Sequence, residues 1–341
     1  MAVLGVAVPT LVDVLGNLNP DGSQADIAEV LNKTNPILAD MPFYESNLPT
    51  GHSVTIRSTL PQPNYRALNE GVPLTKSTAT QFDEPCAQLE DFSQVDRKLA
   101  MLSGNVDAYR LKEARPHMEG MNQQMTKSLV YGNTLANQKE FTGFMPRYNS
   151  KSGVTGGQVI DAGGTGSNLR SILLVGWGEG KVYGIYPKGT MGGLQHEDAT
   201  SPSGTQIPGT PAAMVLRDAS GNPYMGYMDH WEWNTGLVVE DWRYVVRIAN
   251  IDVSALTVNH ATGAYLQDLM IQAVETIQDT AGVNPKFYMP RIIRQFFRRQ
   301  LNDTKNTFLS MEDSAGQKVM AFGEVEVKRL DAMNVAEARV I

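Results

Sequence analysis

The spacing of apolar and polar residues along the chain alternates between strand-like and helix-like pattern. HSVTIRS, residues 52–58, alternates polar with β-branched positions and predicts a strand. TKSTATQFD, residues 75–83, is rich in threonine and predicts a second. Between them LPQPNYRALNEGVP is heavy in Pro, Asn and Gly, so the pair reads as a long two-stranded excursion with little apolar content of its own. A hairpin of that kind is at best marginally stable in water. A neighbouring subunit is the natural surface for it to lie on. The next region is helical. Asn105 is a good N-cap for a helix reaching about Tyr131, with Gly132-Asn133 as its stop. Met118, Met121, Met125 and Leu129 form one apolar stripe. Pro116 is expected to kink or divide the helix, because it removes a backbone donor and crowds the preceding turn.

Further along, KSGVTGGQVIDAGGTGSN reads as loop and tight turns. SILLVGWGEGKVYGIYP reads as strand, turn, strand, with Ile172–Val175 and Val182–Ile185 around a glycine-rich bend. Residues 190–212 read as an exposed insertion, followed by a β region to about Ile251 whose Trp231, Trp233 and Trp242 suggest a local β core. Residues 262–280 form the clearest amphipathic helix, with Tyr265, Leu266, Leu269, Met270, Ala273 and Ile277 on one side. KFYMP predicts a short strand, RIIRQFFRRQL a second helix, and KVMAFGEVEVK, residues 318–328, a strand. Upstream, Ile27, Val30 and Leu31 sit at helical spacing that stops near Asn35-Pro36. Residues 1–24 show no period and read as an arm whose apolar groups need a surface from elsewhere. No internal repeat and no heptad run is visible. The class is α+β.

Composition narrows the choices. A length of 341 residues suggests two domains, or one with large insertions. The 29 basic and 36 acidic side chains leave a formal charge of −7, which argues against a strongly basic nucleic-acid binder. Apolar residues at 42% are enough for a sizeable core. The single cysteine, Cys86, excludes an internal disulfide framework and a cysteine-rich zinc site, and fits synthesis in a reducing compartment. The apolar opening has no basic start and is broken by Pro9 and Asp13, so it does not read as an export signal. No window has the length of a membrane span.

Candidate chemistry is sparse. The glycines near 163–166 and 176–180 lack the helix and the Lys-Ser/Thr pair of a phosphate loop, and GWGEGK continues as a strand. Of the five histidines, His52, His117, His196, His230 and His260, two have carboxylates beside them, in His196-Glu197-Asp198 and Asp229-His230-Trp231-Glu232. Adjacent residues on a strand point to opposite faces, so these clusters do not converge by themselves and read as a solvated loop and a strand edge. Cys86 lies in an acidic setting, and no nucleophile elbow is present. Arg291, Arg294, Arg298 and Arg299 are the one concentration of charge; the first three share a helical face suited to a subunit contact, ahead of a solvated face or nucleic acid.

With these elements in order, the chain resembles the major capsid proteins of tailed bacteriophages with the Hong Kong 97-type fold, nearest to the short-tailed, podovirus-type branch. The segments that carry the resemblance are IAEVLNKTNPILADMPF, NLPTGHSVTIRSTLP, SLVYGN, GIYPKG, LQHED and DWRYVVRIANID, and it covers the chain from about residue 24 to the end. It implies an N-terminal arm at 1–45 and an extended loop at 46–92 that lies across an adjacent subunit. It implies a peripheral domain with a spine helix at 93–160 and 311–341, and an axial domain at 161–310 with an insertion about 190–230. The implied function is self-assembly into hexamers and pentamers that form an icosahedral head around double-stranded DNA, bound without sequence specificity. Implied partners are other copies of the chain, a scaffolding protein, a portal protein and a cementing protein, with no membrane. The implied location is the virion, after assembly in the host cytoplasm. The resemblance brings no catalytic residue, no metal ligand and no cofactor. Candidate subunit-contact residues are Arg57, Lys76 and Phe82 in the extended-loop region, with Arg291, Arg294 and Arg298 on the basic helix. Some relatives crosslink a lysine of this loop to a neighbour's asparagine; Lys76 lies in the corresponding region, but no motif marks a partner. The alternatives are an encapsulin-like compartment shell and, more remotely, a metal- or nucleotide-dependent enzyme.

Overall fold

In a computed structural model the chain is described at residues 33, 35–200, 213–218, 220–258, 263–280, 282–304, 309–314 and 317–341, with only the backbone described between 302 and 319. The opening 1–24, the helical spacing at Ile27, Val30 and Leu31, and His260 lie outside these residues. Pro36 sits at the N-cap of a one-turn helix, α1 (Ile37–Asp40), which leads into β1 (Phe43–Glu45). The alternating stretch becomes β2 (Gly51–Thr59) and the threonine-rich one β3 (Thr78–Pro85), paired antiparallel with Val54 opposite Phe82. β4 (Ala87–Asp96) runs into α2 (Arg97–Leu102), whose first turn is capped by Asp96 accepting from the Lys98 amide at 2.7 Å.

The long helix α3 spans Val106–Tyr131, and Asn105 caps it by accepting from the Ala108 amide at 3.1 Å. Pro116 does not divide it. The proline lies on the exposed side of the helix, where its ring displaces no packing. Met121, Met125 and Leu129 are buried as the stripe predicts. The helix stops at Gly132 for a reason of space: a Cβ there would lie 2.4 Å from the Ser128 carbonyl oxygen and 2.5 Å from that of Phe141.

After α4 (Phe144–Arg147) come β5 (Val159–Asp161), β6 (Leu169–Trp177) and β7 (Val182–Tyr186). Next are β8 (Gln195–Asp198), β9 (Met214–Arg217), the 17-residue β10 (Pro223–Val239) and β11 (Val245–Asp252). Then follow α5 (Leu266–Thr276), β12 (Asn284–Met289) and α6 (Arg291–Thr304). The chain closes with β13 (Leu309–Ser314), β14 (Gln317–Phe322) and β15 (Val325–Arg329).

Two strand expectations change. The 178–181 turn exists, with Gly180 at φ 68° and Gly178 donating to the Val182 carbonyl at 3.1 Å, but β6 and β7 part after it into different sheets. β6 has no free edge to offer, since β11 and β12 occupy both and all nine of its residues are buried. The expected single strand at 318–328 is instead two, β14 and β15, folded back at Gly323, whose φ of 61° suits glycine.

The described residues form two compact units. One holds residues 88–125 and 193–233, with β8, β9 and β4 paired to the first part of β10. Its core gathers Val95, Leu99, Ala100, Tyr109, Ala213 and Tyr227. The other holds 35–87, 126–192 and 234–341. It contains a seven-stranded sheet in the order β13-β14-β15-β12-β6-β11-β5, the β2–β3 hairpin, and β1 with β7 beside the end of β10. The tryptophans at 231, 233 and 242 do not make one core: Trp231 is buried in the first unit, whereas Trp242 lies half-buried on a 3-10 turn of the second. The second unit buries Trp177 instead, edge-on to Phe144 and Tyr288.

Candidate subunit-contact surfaces

The hairpin has a packed base and an exposed end. Val54 is buried with Tyr183, Ile185 and Val238, and Ile56, Phe82 and Cys86 pack against that cluster. Gly236 admits the hairpin base, since a Cβ there would lie 2.7 Å from the Pro85 carbonyl oxygen. A buried ion pair ties the base down. Arg147 donates from Nη1 to Glu84 Oε1 at 2.6 Å and from Nη2 to Glu84 Oε2 at 2.7 Å, while its Nε reaches the Thr142 carbonyl at 3.2 Å. Toward the end, the Thr78 hydroxyl lies 2.8 Å from that of Ser58 and 2.6 Å from that of Thr59. Beyond Thr59 the loop 60–77 has no strand, and every residue in it is exposed.

Of the expected contact residues, Arg57 is exposed on β2 opposite Ala79, and Lys76 is exposed in the loop just before β3. Phe82 is half-buried and already packs against its own chain. The pattern reading missed the apolar content of the loop. Leu60, Tyr65, Leu68 and Leu74 are 72%, 107%, 92% and 102% exposed. Scattered among Pro, Asn and Gly they follow neither a helical nor a strand period, so periodicity gives them no weight.

On α6, Ile293, Phe297 and Leu301 are buried, and Arg291 and Arg298 are exposed on the other side. Arg294 is half-buried, with its Nε out of solvent and without a hydrogen-bond partner. Burial, and then the charges of Arg298 and Arg329, pull its pKa below the ordinary arginine value. The hairpin group and the helix group sit on separate elements.

The histidine clusters are less solvated than their spacing suggests, because residues two apart on a strand share a face. Register sets Asp198 opposite Asp229 and His196 opposite Trp231. Arg110 from α3 joins the two carboxylates, donating to Asp229 at 2.7 Å and to Asp198 at 3.0 Å. Burial works against the charge on Arg110, yet its bonds to Asp198 and Asp229 carry its pKa above the ordinary value. Partial burial likewise opposes ionisation of Asp198, but hydrogen bonds from Arg110 and Thr200 lower its pKa to about 2. His117 and His196 stack on Trp231 at 5.1 Å and 5.3 Å, and one ring nitrogen of each meets a carboxylate, His117 Nδ1 with Asp91 at 2.6 Å and His196 Nε2 with Asp229 at 2.9 Å. His230 stacks on Phe92 at 4.3 Å. A cavity of about 320 Å³ beside them is lined by Leu111, Ala114 and Met118 as well as Arg110. Asp198 and Asp229 are both held by Arg110, and Asp229 also meets His196. Among the described residues no group of three His, Cys, Asp or Glu could hold a metal ion. Burial pushes the Cys86 thiol up to about 11, which suits packing rather than nucleophilic attack. No described helix is long and apolar enough to cross a membrane.

A model of the family described as major capsid protein GP7 matches residues 19–341. The chain belongs to this family of major capsid proteins. Its fold is the Hong Kong 97 type of phage capsids, and its function is to form a phage capsid shell. The capsid protein is similar to the solved structure of bacteriophage epsilon15, with 29% identity, a TM-score of 0.77, and coverage of 100% of this chain and 99% of that one. It also matches the capsid of bacteriophage JBD30 at 11% identity and a TM-score of 0.49, covering 91% of this chain and 95% of that one. An encapsulin complex from Synechococcus elongatus PCC 7942 matches at 10% identity and a TM-score of 0.39, covering 67% and 93%. No curated protein matches the chain. The family match decides between the two kinds of shell raised by the sequence, in favour of the phage capsid.

Proposed function

We propose that this capsid protein assembles as hexamers and pentamers into an icosahedral head around double-stranded DNA of a short-tailed phage. In this reading each copy lays the hairpin β2–β3 and its loop on the next. The observation that carries it is the exposure of Leu60, Tyr65, Leu68 and Leu74 on a loop that none of the described strands pairs with. Burying side chains of this size contributes about 1.5–3 kcal/mol each before ordering costs, and many copies add avidity. Residues 1–45 serve as the arm, 46–92 as the extended loop, 93–160 and 311–341 as the peripheral domain, and 161–310 as the axial domain. Arg57, Lys76, Phe82, Arg291, Arg294 and Arg298 serve as subunit contacts.

The protein acts without catalysis, assembles in the host cytoplasm with scaffolding and portal proteins, and offers its outer face to a cementing protein. The net charge of −7 suits a wall that holds DNA loosely, without reading its sequence. The test is to express the chain alone and with its scaffold and to size the product by light scattering and negative-stain imaging. Closed shells are expected, and the variant Tyr65→Ser/Leu68→Ser should stay folded but fail to close them. A monodisperse monomer or dimer of the unaltered chain under every condition would overturn the proposal.

A further inference from the structure

The two ends of one strand pair in the second unit carry opposite charge. β12 and β15 run parallel, with Lys286 opposite Glu326 and Met289 opposite Arg329. Where these strands begin, an apolar groove of about 460 Å³ is walled by Ile271, Val274, Phe322 and Val325 and rimmed by the carboxylates of Glu275 and Glu324. Both glutamates are exposed, and neither enters an ion pair among the described residues. Where the strands end, α6 begins with Arg291, and Arg294 feels the charges of Arg298 and Arg329. Arg329 is neutralised by Asp331 at 2.7 Å. Arg291, Arg294 and Arg298 have no carboxylate partner among the described residues, unlike Arg110, Arg147, Arg243 and Arg247. Along β15, at about 3.3 Å per residue, Arg291 stands roughly 15 Å from the groove, and although α6 then turns back to pack Phe297 on Phe322, Arg298 is exposed on the side of the helix away from that packing.

We infer that these patches are the two halves of one head-to-tail contact, in which Arg291 and Arg298 of one copy enter the Glu275–Glu324 groove of the next. The chemistry of the groove selects such an occupant. Apolar walls suit the three-carbon stem of arginine, and a carboxylate rim suits the guanidinium. Two different, complementary patches on one subunit make a heterologous interface, the kind that closes into rings. The inference rests on the proposed assembly into hexamers and pentamers and names a contact within those rings.

Three variants test it: Arg291→Glu/Arg298→Glu, Glu275→Arg/Glu324→Arg, and the combined charge swap. Circular dichroism and thermal melting first establish that each is folded, with Arg291→Gln/Arg298→Gln as a milder form. Each reversal alone should raise the protein concentration needed for shell formation about tenfold or more, because like charges then face each other across the contact. The combined swap should bring it back to within about threefold of the unaltered chain. The inference is overturned if the single reversals assemble normally, or if the combined swap is folded but no better than either. It is also overturned if the arginine variant forms normal shells that hold less nucleic acid, which would assign α6 to the genome. Failure of the unaltered chain to form any shell is a different result, and removes the assembly reading itself.

Discussion

The hairpin's attachment to its own subunit can be tested by removing Glu84. Its carboxylate accepts two hydrogen bonds from Arg147 and is 8% exposed, against 18% for the arginine side chain. Glu84→Ala leaves a partly buried guanidinium without its counter-charge, a change that costs about 3–5 kcal/mol in comparable settings. Arg147 keeps its bonds to the Thr142 carbonyl, so the lower end, about 3 kcal/mol, applies here. That corresponds to roughly a hundredfold rise in the equilibrium for opening the hairpin base. The apolar cluster around Val54 remains, so the rest of the unit keeps its fold. Amide hydrogen exchange on unassembled subunits reads this directly. Protection in β2 and β3 near Gly51 and Pro85 should fall about a hundredfold, while β6 and β11 are unchanged. Glu84→Gln, which keeps the shape and one neutral hydrogen bond, should fall between. If Glu84→Ala exchanges within about threefold of the unaltered chain, the clamp is not what holds the hairpin.

Two further outcomes follow from the packing and the charges. Asp198, held at about 2 in the folded chain against about 3.9 when unfolded, contributes stability that is present above about pH 4 and lost as pH falls through 2. Asp198→Asn should therefore flatten the dependence of melting temperature on pH between 2 and 5, and an unchanged slope would count against the Arg110 network. Gly143 leaves no room for a Cβ, which would lie 2.6 Å from the carbonyl oxygens of both Ser128 and Leu129. Gly143→Ala should cost about 2 kcal/mol by denaturant titration, and a loss under about 0.5 would show that the end of α3 yields more easily than its packing suggests.

Much of the fold could be read from spacing. The β2–β3 hairpin, the cap at Asn105, the methionine stripe and the buried side of α5 are all local patterns, and a local pattern survives in one dimension. What escaped depends on partners distant in sequence. β6 and β7 look like one hairpin until β11 and β12 claim both edges of β6. Gly323 and Glu324 turn an apparently continuous strand back on itself, with Gly323 taking the positive φ. The His117–Trp231–His196 stack needs α3, β8 and β10 together, and nothing in the spacing of His196 and His230 announces it. The candidate contact surfaces were half legible. Charge on α6 is visible as a run of arginines, whereas the Glu275–Glu324 groove joins residues from α5 and the β14–β15 turn and has no linear signature.

The seven-stranded sheet also bears on how the chain reaches its fold. β6 is central, wholly buried and strongly apolar, and both of its partners are synthesised after it, β12 only at Asn284–Met289. Until β11 emerges LRSILLVGW is an unpaired strand with two open edges, and until β12 emerges it keeps one, the kind of segment that associates with its own copies. Pairing across so long a separation is slow, because loop closure precedes any reward from contact. Recovery of soluble subunits should then be governed by temperature and rate of synthesis, and by chaperones that cover β6, more than by the stability of the finished fold.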